Sequence, residues 1–215
     1  MEYFWNSIKR PFTDWKKLII GIIISILPIV NFMAMGYQIR CAKTSSLMKL
    51  PKWDKFGQLF VTGLFSAVIL LIYLLPGIII FGAALGTALV SFVPELQNAD
   101  LMNIMSSADV GVMAGIFMVI GLVLMILGSL IGSSAIIGYS QKLKFKDGFI
   151  KEVFRKAFTS KFFFTWVLVG IYGLILSLVL SFIPDWEFLN LGSSIRGFLY
   201  GVTYMTALGT IYKKL

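Results

Sequence analysis

The chain has 215 residues, of which 58% are hydrophobic and only 13% are charged, and its formal net charge at pH 7 is +9. Soluble domains carry about 25% charged residues, so this composition excludes water-soluble packing. The positive charge would suit nucleic acid, but the basic residues flank apolar segments and do not form a domain of their own. Attraction to anionic lipid headgroups explains such charges more simply, and no nucleic-acid partner is predicted.

Five apolar segments contain no Asp, Glu, Lys or Arg. They are residues 18–39, 57–93, 110–141, 162–184 and 197–212. A transmembrane helix needs about 20 mainly apolar residues, so each segment reaches or approaches the length of a membrane crossing. The first 17 residues show no signal-peptide pattern and are expected to form an interfacial N-terminal segment. The sequence therefore predicts an all-α integral membrane protein with a single membrane domain over residues 1–215.

The connecting segments differ sharply in charge. The N-terminal segment, residues 40–56, residues 142–161 and the C-terminal tail hold every basic residue except Arg196. Residues 94–109 hold acidic residues and no basic one. Short loops rich in Lys and Arg stay in the cytoplasm, so we predict a multi-pass protein of the cell membrane with both termini cytoplasmic. Residues 94–109 and 185–196 are then expected outside.

The first apolar segment, residues 18–39, has basic segments at both ends, so it should enter and leave the membrane on the same side. Pro28 removes a helical hydrogen-bond donor and Asn31 favours a turn. We therefore predict two short helices, 18–27 and 32–39, in a re-entrant hairpin with its tip near Asn31. Such a turn is tolerated only where other protein segments cover it. The alternative is a plain fifth span kinked at Pro28, which would place one basic loop outside.

The four remaining segments give a predicted count of about four transmembrane helices. The longest, residues 57–93, would measure about 55 Å as one straight helix, against a hydrocarbon core of about 30 Å. We therefore expect Pro76 to kink this helix, or its ends to leave the hydrocarbon.

Glycines spaced four residues apart allow helix backbones to approach closely. The pairs are Gly82/Gly86, Gly111/Gly115, Gly128/Gly132 and Gly197/Gly201. The first two pairs flank the same predicted outer loop, so they could pack against each other.

Residues 147–161 have the pattern of a basic amphipathic helix, with apolar side chains on one face and basic side chains on the other. Asp147 is the expected N-cap. Such a helix lies in the headgroup plane and contacts the cytoplasmic leaflet; alternatively, its apolar face packs against another subunit. The N-terminal segment has similar spacing, with an expected break at Pro11.

A set of residues in the first third of the chain resembles a known family. The set comprises Arg10-Pro11-Phe12, Asp14-Trp15, Pro28, Asn31, Gly36-Tyr37, Arg40, Leu50-Pro51-Lys52-Trp53-Asp54 and Gly63. It resembles a prokaryotic, mostly archaeal family of multi-pass membrane proteins catalogued as domain of unknown function 4013. The resemblance is clearest over residues 8–76 and continues as a hydrophobic pattern to the C-terminus. It implies a membrane fold and supplies no activity, cofactor or catalytic residue.

Residues suited to catalysis are scarce. The chain contains no histidine, which is the commonest metal ligand and general base. The single cysteine, Cys41, excludes an intramolecular disulfide and a cysteine-based metal site. It is expected to be a small hydrophobic residue at a helix end, with a lipidated or reactive thiol as the alternative. We therefore predict no enzyme activity, no cofactor, and no catalytic, cofactor-binding or metal site.

Three residues remain as candidates for a functional role. They are Asn31 at the hairpin tip, Pro76 in the long helix, and Arg196 about one turn inside the outer interface. Arg196 could contact an anion or a lipid headgroup from outside. Alternatively, it snorkels to the outer headgroups or pairs with Asp185 or Glu187.

The first functional hypothesis is a non-catalytic protein that organises the membrane or serves as an accessory subunit, as a homo-oligomer or in a membrane complex. The alternative is a small-solute or lipid transporter or channel, in which Asn31 and a helix broken at Pro76 line a polar path. A water-accessible cavity that reaches Asn31 would favour this alternative, and a tip sealed by Phe and Ile would oppose it. A lipid-modifying enzyme is a third hypothesis, for which Asp54 beside Trp53 is the only sequence hint.

Overall fold

The structure is a computed structural model, and it describes residues 2–44, 49–91, 107–182 and 191–215. Within these ranges every regular element is a helix, which confirms the all-α fold class. The α-helices are α1 (Glu2–Lys9), α2 (Trp15–Ile26), α3 (Asn31–Lys43), α4 (Phe56–Ser91), α5 (Ser107–Lys142), α6 (Lys151–Ala157), α7 (Ser160–Val179) and α8 (Leu191–Tyr212). Short 3₁₀ turns lie at Arg10–Thr13, Phe145–Gly148 and Leu180–Phe182.

Three helical segments of the described chain are long and apolar enough to cross a membrane: Phe56–Ala88, Gly111–Lys142 and Ser160–Phe182. The fourth predicted span, residues 197–212, forms most of α8, which is not among these three. α8 is rich in Gly, Ser, Thr and Tyr, and 13 of its 22 residues are buried. It packs against α1, α2, α3 and α7, so it is a central helix surrounded by protein.

The predicted break in residues 18–39 is present, since α2 ends at Ile26 and α3 begins at Asn31. The Asp14 side chain caps α2 by accepting a hydrogen bond of 3.2 Å from the Lys17 main-chain N–H. Trp53 then joins the two ends of the hairpin. Its indole N–H donates to the Lys17 carbonyl (3.1 Å), and its ring stacks on Tyr37 of α3 with centroids 3.9 Å apart. Arg40, in the last turn of α3, forms an ion pair with Asp54, the residue after Trp53. The start of α2 and the end of α3 therefore lie together, as in a hairpin and unlike in one kinked helix.

A buried apolar cluster surrounds the hairpin. Its members are Leu18, Ala34, Tyr37, Cys41, Leu50, Leu59, Phe198, Leu199 and Val202. They come from α2, α3, α4, α8 and the segment before α4, so several elements cover the hairpin. Two glycines let α3 and α4 approach at backbone distance: a Cβ at Gly36 would overlap the Leu59 carbonyl oxygen, and a Cβ at Gly63 would overlap that of Phe32.

The chain divides into two compact units, residues 1–69 with 133–215, and residues 70–132. In the second unit α4 continues through Pro76 as one helix, so the helix break that the transporter hypothesis places at Pro76 is not formed. The kink expected at Pro76 stays a prediction. Pro76 itself is exposed.

The expected packing of Gly82/Gly86 against Gly111/Gly115 is also wrong. No described atom outside the local helix lies within 4 Å of a Cβ at any of these four positions. The two helices of the unit meet instead at Gly77, Gly121 and Gly128, where a Cβ would collide with Met125, Phe81 and Tyr73, respectively. Spacing alone identifies glycines that could permit close approach, but it does not determine which of them face a neighbour.

The predicted amphipathic helix is shorter than expected. The chain first makes the 3₁₀ turn Phe145–Gly148, and α6 then begins at Lys151 with Ile150 in the N-cap position. Asp147 is therefore not the N-cap, because the turn places it before the helix in a buried position. The apolar face is also divided: Val153 and Ala157 are fully buried, whereas Phe158 is exposed.

Candidate functional site

A cavity of about 370 Å³ opens at the break between α2 and α3. It is lined by Ser25, Ile26, Pro28, Asn31, Met35, Gln38, Ser193, Ser194 and Gly197. We call it the tip cavity. Asn31 is the first residue of α3, so its position is fixed by the chain break that Pro28 imposes. The sequence candidate Asn31 therefore lies at a cavity wall rather than in a sealed apolar tip.

The polar groups of the tip cavity are uncharged amides and hydroxyls. The Gln38 side chain lies across α8 and donates to the Gly197 carbonyl at 3.4 Å. A Cβ at Gly201 would overlap the Gln38 amide, so this glycine makes room for it. The Ser25 hydroxyl donates to the Gly21 carbonyl at 2.7 Å, which leaves its oxygen as an acceptor. The wall thus offers amide donors and oxygen acceptors to a small polar molecule.

Beyond the tip cavity, α8 contributes closely packed aromatic and aliphatic side chains that do not line it. Phe198 and Val202 are fully buried, and the Phe198 ring lies 6.0 Å from that of Tyr37, centroid to centroid. Gly21 of α2 contacts the Phe198 ring, where a Cβ would overlap it. These contacts fill the space between the hairpin and α8 beyond Gln38.

The other two sequence candidates do not line this cavity. Arg196 follows Ile195 on α8 and donates to the Leu180 carbonyl at 3.3 Å and to the Ser193 hydroxyl at 3.4 Å. Its suggested partners Asp185 and Glu187 lie outside the described residues. Pro76 belongs to the second compact unit. The structure thus places one of the three candidates, Asn31, in a cavity wall.

Arg10 is a functional candidate that the sequence reasoning missed. Its side chain is fully buried, and Nη1 donates to the Cys41 carbonyl and to the Thr206 hydroxyl, both at 2.9 Å. Its Nη2 and Nε donate to the Lys49 carbonyl at 3.1 and 3.3 Å. No ion pair among the described residues includes Arg10. A buried charge without an ionic partner is costly, so four hydrogen bonds to neutral oxygens must hold it.

Most of the resemblance residues meet at the ends of the hairpin. The Tyr37 hydroxyl donates to the Pro51 carbonyl at 2.9 Å, and Arg40 forms an ion pair with Asp54. Together with Trp53, they tie the segment before α4 to α3. Asp54 is the residue after Trp53, and its ion pair with Arg40 gives it a structural role. The resemblance therefore marks the contacts that close the hairpin, and Arg10 is the first of these residues in the chain.

The pKa shifts of Asp14 and Cys41 indicate structural groups rather than reactive ones. Hydrogen bonding to Lys17 lowers the pKa of Asp14 from its usual value, as expected for a capping carboxylate. Burial raises the pKa of the Cys41 thiol to about 12. Cys41 is only 1% exposed, so the alternative of a reactive or lipidated thiol is disfavoured.

Long apolar helices, a covered helical hairpin and a central, largely buried helix define this molecule as an all-helical integral membrane protein. Comparison with protein families identifies it further. The model of the family described as a protein of unknown function, DUF4013, matches residues 19–184, and the chain belongs to this family. Neither the curated proteins nor the solved structures yielded a match.

Proposed function

We propose that this protein is a non-catalytic transport protein of the cell membrane that binds a small, uncharged polar solute in the tip cavity. The observation that carries the proposal is the cavity of about 370 Å³ at the break of the hairpin, with Asn31 in its wall. Broken helices place polar backbone and side-chain groups at solute sites within membranes. A water-accessible cavity that reaches Asn31 is expected of a transporter and is not required of a membrane-organising protein, so it supports the transport function.

In this proposal the hairpin enters the membrane from the cytoplasmic side and returns to it. The hairpin ends support this orientation, because basic side chains gather there. Arg10 and Lys17 donate to carbonyls of residues 49 and 50, and Lys213 donates to the Lys43 carbonyl. With 12 residues, α2 is about 18 Å long, so the tip lies inside a hydrocarbon core of about 30 Å.

The chemistry of the cavity wall favours an uncharged solute. An ion transferred to this depth needs a charged partner or many aligned dipoles, and the lining residues are all uncharged. Amide and hydroxyl groups suit molecules such as glycerol or urea, which both donate and accept hydrogen bonds.

A second candidate function, organisation of the membrane or an accessory role in a larger assembly, is favoured by a different observation. Ile150 and Phe158, which flank α6, expose apolar side chains in a basic segment. Such a segment can lie in the headgroup region and contact anionic lipids or neighbouring membrane proteins. This function does not require the tip cavity.

The two functions are separated by uptake measurements in proteoliposomes of the purified full chain. Light scattering would follow osmotic recovery with glycerol or urea outside. We expect faster recovery than in protein-free vesicles, and Asn31→Leu and Gln38→Leu should slow it by about tenfold, because a bound solute then leaves polar groups unpaired. The matched control is Asn6→Leu, which changes an asparagine of α1 that does not line the cavity.

Recovery rates equal to those of protein-free vesicles for both solutes would count against transport and leave the membrane-organising role. Faster recovery that Asn31→Leu and Gln38→Leu leave unchanged would show that the tip cavity is not the route. Thermal unfolding of each variant in detergent would confirm that the fold is retained.

A further inference from the structure

A second cavity, of about 240 Å³, lies where α4 begins and α5 ends, beside the last turn of α3. We call it the Lys55 cavity. All its lining residues belong to the first compact unit, and none of them lines the tip cavity. Its role is therefore independent of the proposed transport.

The Lys55 cavity carries an excess of positive charge. Its charged lining residues are three cations, Arg40, Lys43 and Lys55, and one acid, Asp54. Asp54 is already paired with Arg40, and no ion pair among the described residues includes Lys43 or Lys55. Two cations that border one space repel each other, so an anion placed there is attracted by both.

Lys55 occupies a position that local structure disfavours for a lysine. It directly precedes α4, and its carbonyl accepts a hydrogen bond of 3.1 Å from the Leu59 N–H. The positive end of the helix dipole repels a cation there, and Asn, Asp, Ser or Gly is preferred. Its φ angle of 53° lies in the left-handed region, which disfavours any residue with a Cβ. Residues that break such local rules are expected at functional sites.

The other two cations have a local explanation. Arg40 and Lys43 lie in the last turn of α3, where the partial negative charge of the helix end favours basic side chains. Lys55 has no such explanation, so its charge at this place calls for a ligand.

A second strained residue borders the same cavity. Leu143 follows α5 with a φ angle of 57°, and its N–H donates to the Tyr139 carbonyl at 2.7 Å. Within the part of the chain that the structure describes, Lys55 and Leu143 are the two non-glycine residues with a positive φ, and both line this cavity. Strained backbone of this kind clusters at ligand-binding sites, because the surrounding structure must hold it in place.

The charge and the remaining lining indicate the class of ligand. Three cations and one acid give the lining a net charge of +2. A phosphate monoester matches this charge, since it carries about −1.5 to −2 at pH 7, and lysine binds phosphate as a point charge. Ile39 and Leu59 add apolar surface that suits an organic part of the ligand. Lys43 and Lys55 belong to residues 40–56, which are expected in the cytoplasm.

We propose that the Lys55 cavity binds the phosphate group of a phosphate monoester. The ammonium groups of Lys43 and Lys55 bind the phosphate oxygens, and the organic part contacts the apolar lining. The protein keeps a lysine at the strained position 55 because the bound phosphate needs its charge there.

The test is calorimetric titration of the purified full chain, in an uncharged detergent, with inorganic phosphate as the probe and chloride of equal ionic strength as the reference. We expect saturable binding of phosphate with a dissociation constant of about 1 mM or below. Lys43→Gln and Lys55→Asn should each weaken it by about tenfold, because each removes a hydrogen bond between charged groups. The matched control is Lys52→Gln, at an exposed lysine of the same segment that does not line the cavity.

Thermal unfolding separates this role from a structural one. Asparagine tolerates the left-handed conformation and is a preferred residue before a helix. Lys55→Asn should therefore raise the melting temperature while it weakens phosphate binding, whereas loss of a structural lysine would lower the melting temperature.

Three results would overturn the proposal. The first is no saturable heat from phosphate. The second is binding that Lys43→Gln and Lys55→Asn leave unchanged. The third is an equal loss in Lys52→Gln, which would indicate an adventitious ion held by diffuse surface charge.

Two competitors distinguish the sources of the phosphate group. Glycerol 3-phosphate is a soluble monoester, and phosphatidic acid in mixed micelles presents the same group on a lipid. Stronger displacement of inorganic phosphate by glycerol 3-phosphate supports the proposal with a soluble ligand. Stronger displacement by phosphatidic acid supports it with a lipid ligand. Displacement by neither would overturn it, because a monoester would then not fit the cavity.

Discussion

The guanidinium group of Arg10 donates a hydrogen bond of 2.9 Å to the main-chain carbonyl of Cys41, in the last turn of α3. The carbonyls at the C-terminal end of a helix carry partial negative charge, so this end is a favourable place for a cation. The same nitrogen donates to Thr206 of α8. One buried side chain of the N-terminal segment therefore joins the hairpin to the central helix.

Replacing Arg10 should destabilise the protein strongly. Arg10→Leu removes four hydrogen bonds and leaves the buried Cys41 carbonyl without this donor, and we expect a loss of about 3 kcal/mol or more in the free energy of unfolding. The measurement is equilibrium unfolding by SDS in mixed micelles. Lys9→Leu is the control, since Lys9 is the exposed neighbour. If both variants unfold at the same SDS concentration as the unchanged protein, Arg10 does not have this role.

The Cys41 thiol should be unreactive in the folded protein. With a pKa of about 12, only about one thiol in ten thousand is ionised at pH 8, compared with about one in four for an ordinary cysteine. Burial adds a steric barrier. We expect no labelling by iodoacetamide in mild detergent and complete labelling after denaturation. The Arg10→Leu variant should label faster than the unchanged protein, because its hairpin opens more often. Rapid labelling of the folded, unchanged protein would contradict the burial of this residue.

The hairpin could be predicted because the residues that cause it either lie at the break itself or are the charged residues that flank the apolar segment. Pro28 and Asn31 stand at the break, and the basic segments on both sides require the chain to return. The observed helices, Trp15–Ile26 and Asn31–Lys43, extend the predicted ones mainly at their outer ends. Residues 15–17 and 40–43 include charged side chains, which mark the end of the apolar segments but do not end a helix.

The sites depend on contacts between residues distant in sequence. The tip cavity exists because Ser193 and Ser194 of α8 lie beside Asn31, and no local pattern predicts that neighbour. From the sequence, Arg10 is only one more cytoplasmic charge, because its burial depends on contacts with distant residues such as Thr206. Aspartate is a common N-cap residue, but the 3₁₀ turn Phe145–Gly148 places Asp147 before α6, so Asp147 does not cap that helix. In each case tertiary packing overrides a locally reasonable assignment.

Gly63 should tolerate no larger residue. A Cβ there would overlap the Phe32 carbonyl oxygen and lie 2.9 Å from the Gly36 backbone nitrogen, so Gly63→Ala should force α3 and α4 apart. Overpacking of this kind costs about 1–3 kcal/mol. Gly82→Ala, in the same helix but with open space around it, should be neutral or stabilising by up to about 1 kcal/mol. Thermal unfolding in detergent measures both, and equal melting temperatures would disprove the close approach.

The orientation of the chain can be tested with single cysteines in a Cys41→Ala background. A membrane-impermeant maleimide applied to intact cells should label Asn98→Cys, which lies in the acidic segment expected outside. Lys146→Cys, in a basic segment expected in the cytoplasm, should be labelled only after permeabilisation. Val30→Cys probes the hairpin tip. Labelling from outside at position 30 but not at position 98 would refute the predicted topology, because the tip would then face outward while the acidic segment faced the cytoplasm.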